Sequence, residues 1–366
     1  MTAEMDAVSP PSRLAEPEEG ISAEELQLAA RNHGLPLEAL RFDVTPPGLH
    51  YLLTHYDIPV VDPAEFRLVV DGLIDTPLSL DLDAIRNRPR VSTVVTMECA
   101  GNGRALLRPR PVSQPWLVEA VGTSRWTGTP LAQLLREAGV HNGCVDVVFT
   151  GADHGIERGV EQNYQRSLPV TEAMREDVLL AYEMNGGPLP PQHGYPLRLV
   201  IPGWYGMAHV KWLTGINLVA DRFDGFQMRA YSVRQQPEEH GVPLTRIEPR
   251  ALLVPPGFPD FMSRTRVLRS GRITVEGRAW SGWAPIRAVD VSIDGGDTWT
   301  SAKLEPAPHR WGWARWTWTW EATVGSYLLS ARASDRSGRS QPVDQPWNRG
   351  GFANNLVQRV PVAVIS

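Results

Sequence analysis

Cysteine is scarce in this chain. Only Cys99 and Cys144 occur in 366 residues, too few and too far apart for a disulfide framework. No run of about 18 apolar residues is present, so no membrane-crossing helix is expected. Basic residues are not in excess, 36 Lys and Arg against 41 Asp and Glu, which argues against a nucleic-acid partner. Glu4, Asp6, Glu16, Glu18 and Glu19 stand against Arg13 alone in the first twenty residues. This N-terminus has no apolar signal core and no twin arginine. It reads as a disordered tail, residues 1–20, on a cytoplasmic protein; a periplasmic location is expected only if a leader has been removed. Motifs of several enzyme classes are missing too. No Gly-x-Gly-x-x-Gly opens a helix after a strand, so neither nicotinamide nor flavin is expected. There is no Gly-x-Ser-x-Gly elbow and no Cys-x-x-Cys-His haem attachment. His141-Asn142-Gly143-Cys144 lacks two further zinc ligands at a sensible spacing.

What the chain does have is 32 glycines and 32 prolines, spread among apolar segments. That texture suggests a loop-rich α+β fold rather than disorder. Ser22-Ala23-Glu24-Glu25 is a capping box, predicting a helix to about His33. A strand is expected over residues 65–72 and a short helix over 81–87. Thr129 is expected to cap a helix with Pro130 in its first turn, Leu131, Leu134 and Leu135 as its apolar stripe, and Gly139 as its stop. Further strands are expected over 146–150, 178–182, 197–201 and 215–220. Helices and strands mingle without a regular βαβ rhythm, which argues for α+β rather than a doubly wound sheet.

Around residues 235–265 the chain turns linker-like, and we place a domain boundary at 245/246. Beyond it, short strands are expected over 272–279, 287–293, 299–304, 315–320, 327–333 and 356–364. Asp294-Gly295-Gly296 is a hairpin signal. This spacing predicts an immunoglobulin-like β-sandwich over 246–366, after a domain over 21–245. Nine of the thirteen tryptophans lie from Trp280 onward. Trp316, Trp318 and Trp320 alternate with threonines and share one strand face. They read as sandwich core plus interface; a glycan- or protein-binding platform is the alternative.

The most informative residue is Cys99. It closes the β-branched run Val91–Thr96 and precedes Ala100-Gly101-Asn102-Gly103-Arg104. The run reads as a buried strand, and the glycines demand a sharp turn at its end. Arg104 could favour thiolate, the form that binds a soft metal. From spacing alone, such a cysteine is more often a small buried hydrophobe.

Cys-Ala-Gly-Asn followed by a basic residue resembles the molybdenum-ligand loop of the sulfite oxidase family of molybdopterin enzymes. The strings Leu179–Pro190, His193–Gly203 and Gly206–Leu213 agree in order and spacing. The resemblance extends from about Pro36 to the C-terminus. It implies a mixed α/β molybdopterin domain followed by a dimerisation domain, hence a homodimer. It implies a molybdenum–molybdopterin cofactor with Cys99 as the metal ligand. Arg198 and Lys211 are then anion binders, His193 and His209 partners of pterin or phosphate oxygens, and Asp153 an acceptor from the pterin amino group. Val210 falls in the same string. Without the resemblance, Arg198 reads as a surface ion-pair residue and His193 as a turn histidine.

Thr54, His55 and Tyr56 stand where family members carry an arginine, an asparagine and a histidine at the cofactor. Phe223, before Asp224-Gly225-Phe226, matches the place of the family's active-site tyrosine. Arg104, Arg349 and Trp116 are left to form the substrate pocket. The resemblance implies transfer of an oxygen atom to or from a small oxyanion or sulfur oxide. No haem domain is fused, so electrons are expected to pass to a separate carrier such as a cytochrome. Sulfite is the default substrate, and the departures at Thr54 and Phe223 predict weak sulfite oxidation. Nitrate or sulfoxide reduction, or a non-catalytic Trp-rich binding protein, are the alternatives.

Overall fold

Along Val91–Glu98 the outer residues are exposed, but the last five are all buried. The computed structural model, which describes residues 13–366, shows why. The strand pairs antiparallel with Val121–Pro130, and that strand pairs with Leu179–Met184. Gly187–Pro188 and Arg198–Val200 both add to Leu179–Met184. Beside Met97 and Glu98 lie Gly122 and Val121, so Cys99 leaves the sheet at its inner end.

A second five-stranded sheet runs in the order Leu78–Leu80, Leu68–Gly72, Leu213–Val219, Asp146–Glu157, Val160–Pro169. Its one parallel pair places Val69 opposite Gly215. The helix Leu131–Ala138 buries Leu131, Leu134 and Leu135 in the same core as Phe149, Leu180 and Leu213. Gly139 stops it in the left-handed region at φ +74°. The expected cap at Thr129 is corrected: Pro130 takes the cap position without a side-chain bond, and Thr129 is still in the strand.

From Arg250 onward the described elements are all β. Arg250–Leu253, Gly271–Trp280, Ala314–Ala322 and Lys303–Leu304 make one sheet. The other holds Phe258–Pro259, Arg266–Arg269, Val360–Ile365, Gly325–Asp335, Ile286–Ser292 and Thr300–Ser301. Their inner faces share one apolar core that includes Val275, Val291, Leu329 and Val362. Trp316 and Trp320 are buried in it, while Trp318 is half-buried and stacks on Trp320. The fold is therefore α+β with an all-β second part.

Residues 1–12 of the expected tail lie outside the described residues. Residues 13–20 correct the expectation, because they pack on the molecule. Ala15 is buried, its N–H donates to Arg110 O, and Leu14 bridges Pro111.

Candidate active site

The turn after Val91–Glu98 is fixed by its own asparagine. Asn102 Nδ2 donates to Glu98 Oε1 and Val118 O, both at 3.1 Å, and its Oδ1 accepts from Ala120 N–H. Cys99 N–H donates to Ala120 O at 2.9 Å. Gly103 takes φ +91°, which a side chain would strain. A Cβ on Gly101 would fall 2.7 Å from the Arg104 guanidinium. Glycine there lets the arginine fold back over the loop. The result is a thiol 6% exposed, at the wall between two cavities. Burial pushes the Cys99 thiol up, while Arg104, the Gly101 N–H and Trp116 act the other way. A bound metal cation would tip this balance to thiolate.

The inner cavity is lined by His50, Tyr51, Asp153, His193, Arg198 and Lys211, among others. Arg198 donates to His193 O at 2.9 Å, His209 O at 3.3 Å and the Met97 sulfur, and lies over the Trp126 ring. Lys211 Nζ donates to Leu53 O and Gln192 O and lies over Trp212. Neither cation forms a salt bridge among the described residues. Burial lowers Arg198 to about 10; burial and Arg198 hold Lys211 below the usual lysine range. Asp153 is held above the usual carboxylate range by burial, against the pull of Lys211. Two buried cations face a single carboxylate here, an excess of positive charge that suits an anion. His50 Nε2, Asp153 Oδ1 and Arg198 Nε are buried without partners. A pterin edge with acceptors and donors, joined to a phosphate, fits that set of donors and acceptors. Among the described residues no cluster of three His, Cys, Asp or Glu could hold a metal alone. A metal at Cys99 would need its other ligands from a bound cofactor.

The outer cavity opens on the other side of Cys99. Arg104 stands beside it, 6% exposed, donating through Nε to Gly350 O at 2.9 Å and through Nη1 to Gln114 O. Arg349 and Trp116 line the same space. A tyrosine is there too. Tyr231 lines both cavities, and its hydroxyl lies 2.7 Å from His55 Nε2. Burial holds the hydroxyl protonated far above its ordinary range. It follows the short helix Phe226–Ala230, in a stretch with no periodic signal. Phe223 lines neither cavity, and its backbone N–H donates to Asp146 Oδ2. The hydroxyl in this space is that of Tyr231, and Phe223 brings no ring to it.

Cys99, His55, Asp153, His193, Arg198, His209 and Lys211 meet around the inner cavity. Four of the expected cofactor contacts are corrected: His209, Val210, Thr54 and Tyr56. His209 has no free ring nitrogen: Nδ1 accepts from Ile201 N–H and Nε2 donates to Trp204 O. Its ring braces the backbone whose carbonyl receives Arg198. Val210 packs in the apolar core and lines neither cavity. Thr54 and Tyr56 line the outer cavity, not the inner one. Thr54 N–H and Oγ1 both donate to Asn32 Oδ1, so its side chain is spoken for. His50 and Tyr51 also line the inner cavity: His50 is not marked by the sequence, and Tyr51 opens the Tyr51–Tyr56 stretch that carries the expected contacts Thr54, His55 and Tyr56.

Residues 55–227 match the oxidoreductase molybdopterin binding domain, and residues 258–365 the Mo-co oxidoreductase dimerisation domain. Sulfite oxidase from Gallus gallus is 36% identical over 360 residues, covering 88% of this chain and 73% of that protein. The mitochondrial sulfite oxidase of Homo sapiens is 35% identical over 358 residues, covering 88% of this chain. The chain spans only 62% of that human relative's length. Among solved structures, the sulfane dehydrogenase SoxCD from Paracoccus pantotrophus superposes with a TM-score of 0.78 at 25% identity. That match covers 98% of this chain and 88% of the other.

Proposed function

Because the chain belongs to the sulfite oxidase family of molybdopterin-dependent oxidoreductases, we propose that it oxidises a small sulfur oxyanion, with sulfite as the reference substrate. The carrying observation is the position of Cys99, between a cavity lined by the buried cations Arg198 and Lys211 and a cavity holding Arg104 and Tyr231. When bound, the molybdenum cofactor supplies oxygen-atom transfer and two-electron redox chemistry. Cys99 would hold its metal. Arg198 and Lys211 would neutralise its phosphate, with neutral His193 beside them, and Asp153 would accept from its amino group. Burial, with His50 and the two cations next to it, pushes His193 down to about 2, so its ring serves as a neutral hydrogen-bonding group.

On the substrate side, Arg104 draws the oxyanion toward Cys99. The Tyr231 hydroxyl, fixed by His55, donates to a substrate oxygen. Net, sulfite gains an oxygen from water, and two protons and two electrons leave. The electrons pass to a separate one-electron carrier, such as a cytochrome. Residues 258–365 support a homodimer within this reading. The test is metal analysis of protein made with the cofactor available, together with sulfite-dependent reduction of an artificial acceptor. Molybdenum near one per chain, lost in Cys99→Ser, is expected. Full loading and turnover in Cys99→Ser would refute the reading.

A further inference from the structure

The outer cavity is large for an inorganic oxyanion. Its volume is about 540 Å³, within the range of roughly 300–1,000 Å³ typical of sites for organic ligands. Cys99, Arg104 and Tyr231 line it together. The rest of its wall is mixed, with apolar surface from Leu28, Leu53, Val112, Ile156 and Phe352 beside charged residues such as Glu157, Arg234 and Arg349. Phe352 is the key element. Its ring lies 5.0 Å from the Arg104 guanidinium and 5.1 Å from the Tyr231 ring. It covers one face of the cation, while Nε and Nη1 are engaged by Gly350 and Gln114 carbonyls. An anion meets the guanidinium away from Phe352, and the apolar surface available to a substituent on it comes from Leu28, Leu53, Val112 and Ile156. A bare sulfite ion, hydrated on all its oxygens, gains nothing from that surface. An ion with a hydrocarbon substituent does.

We propose that the preferred substrate is an organic sulfinate, its anionic head beside Arg104 and its substituent in the outer cavity. This rests on the oxidoreductase reading above. The sulfinate sulfur keeps the lone pair that makes sulfite oxidisable. The net change is R–SO₂⁻ plus water to R–SO₃⁻, two protons and two electrons. One S–O bond forms, the R–S bond stays intact, and two molecules of the one-electron carrier are reduced.

Binding of product analogues tests the cavity independently of turnover. Sulfate and the methane-, ethane- and butanesulfonates are titrated by calorimetry into the purified enzyme. Affinity should rise by up to about four-fold per added methylene, with butanesulfonate bound more tightly than sulfate. Val112→Trp, which fills the cavity, should weaken butanesulfonate by about ten-fold or more and erase the dependence on chain length. Affinities independent of chain length, or sulfate the tightest ligand, would overturn the proposal. The wild-type series decides this even if the variant fails to fold. Molybdenum measured on the same sample separates the two readings. A flat series on loaded enzyme sinks only the sulfinate proposal, whereas a chain without metal sinks the oxidoreductase reading.

Discussion

Glu98 and Arg250, 152 residues apart, form a buried ion pair: Arg250 Nε donates to Glu98 Oε1 at 2.8 Å, with the side chains 1% and 2% exposed. Trp280 Nε1 donates to the other carboxylate oxygen at 2.8 Å. Ala353 N–H donates to Ala100 O, and Asn354 Nδ2 to Gly103 O. The loop that presents Cys99 is thus held from outside by residues of the second half of the chain. A Trp280 ring and a conformationally fixed arginine replace the water that a buried carboxylate would otherwise need.

Arg250→Ala should therefore cost about 3–5 kcal/mol, because it strands a buried carboxylate. Urea unfolding followed by circular dichroism measures this. A loss below about 1 kcal/mol would mean that Glu98 is rehydrated and that the clamp contributes little.

The two cysteines should separate cleanly. Cys144 is buried, and its thiol donates weakly to Asp146 O. Cys144→Ser should leave turnover intact, at a stability cost of about 1 kcal/mol. Cys99→Ser should lose turnover, since a hydroxyl is a poor soft-metal ligand, while keeping a normal far-ultraviolet spectrum. Equal activity of the two variants would contradict the assignment of Cys99.

Arg198→Ala should lower cofactor content rather than catalytic efficiency per loaded site. Losing a buried partner of an anion is worth on the order of 2–5 kcal/mol. Pterin fluorescence and molybdenum after purification report occupancy. Wild-type occupancy would assign Arg198 to bracing the His193 and His209 carbonyls alone.

Much of this site was legible because it is local. A strand that ends in Cys-Ala-Gly-Asn-Gly must turn there, and Arg198, His193 and Lys211 lie within two short strings. What stayed hidden depends on distant approach. Nothing near Tyr231 marks it, and its hydroxyl matters only because His55, 176 residues away, meets it. The strands Val121–Pro130 and Val160–Pro169 were missed for a related reason. Their polar residues break the apolar pattern, yet many are buried and paired, as in the 2.6 Å contact of Thr96 Oγ1 with Thr123 Oγ1. His209 shows the reverse error: a histidine in the right string whose ring nitrogens the backbone already occupies.

Buried histidines should make the cofactor-free protein acid-sensitive. Burial pushes His50 down to about 4 and His209 to about 3. The folded state thus binds fewer protons than the unfolded chain between those values and the ordinary 6.5. Stability is retained above pH 6.5 and lost as pH falls toward 4. The expected loss is about 2 kcal/mol per histidine between pH 6.5 and 5. Urea midpoints at the two pH values measure it, and His50→Gln should shrink the difference. A midpoint unchanged over this range would mean that both rings charge without unfolding.

Sulfite turnover should depend on Tyr231 and not on Phe223. The Tyr231 hydroxyl reaches both cavities, while Phe223 lines neither. One lost hydrogen bond to a charged oxyanion is worth roughly 1.5–3 kcal/mol, or about ten- to a hundred-fold in kcat/KM. Tyr231→Phe should show that loss, and Phe223→Tyr should be silent. Thr54→Arg should bring no gain, because Thr54 is buried, leaving little room for a guanidinium, and its hydroxyl bond to Asn32 would be lost. His55→Gln should fall between, since it can still bond the Tyr231 hydroxyl but not with the same reach. Steady-state sulfite kinetics on enzyme normalised to molybdenum decides among these. A rise in turnover with Phe223→Tyr, or an unaltered Tyr231→Phe, would put the substrate hydroxyl back at position 223 and remove Tyr231 from the reaction.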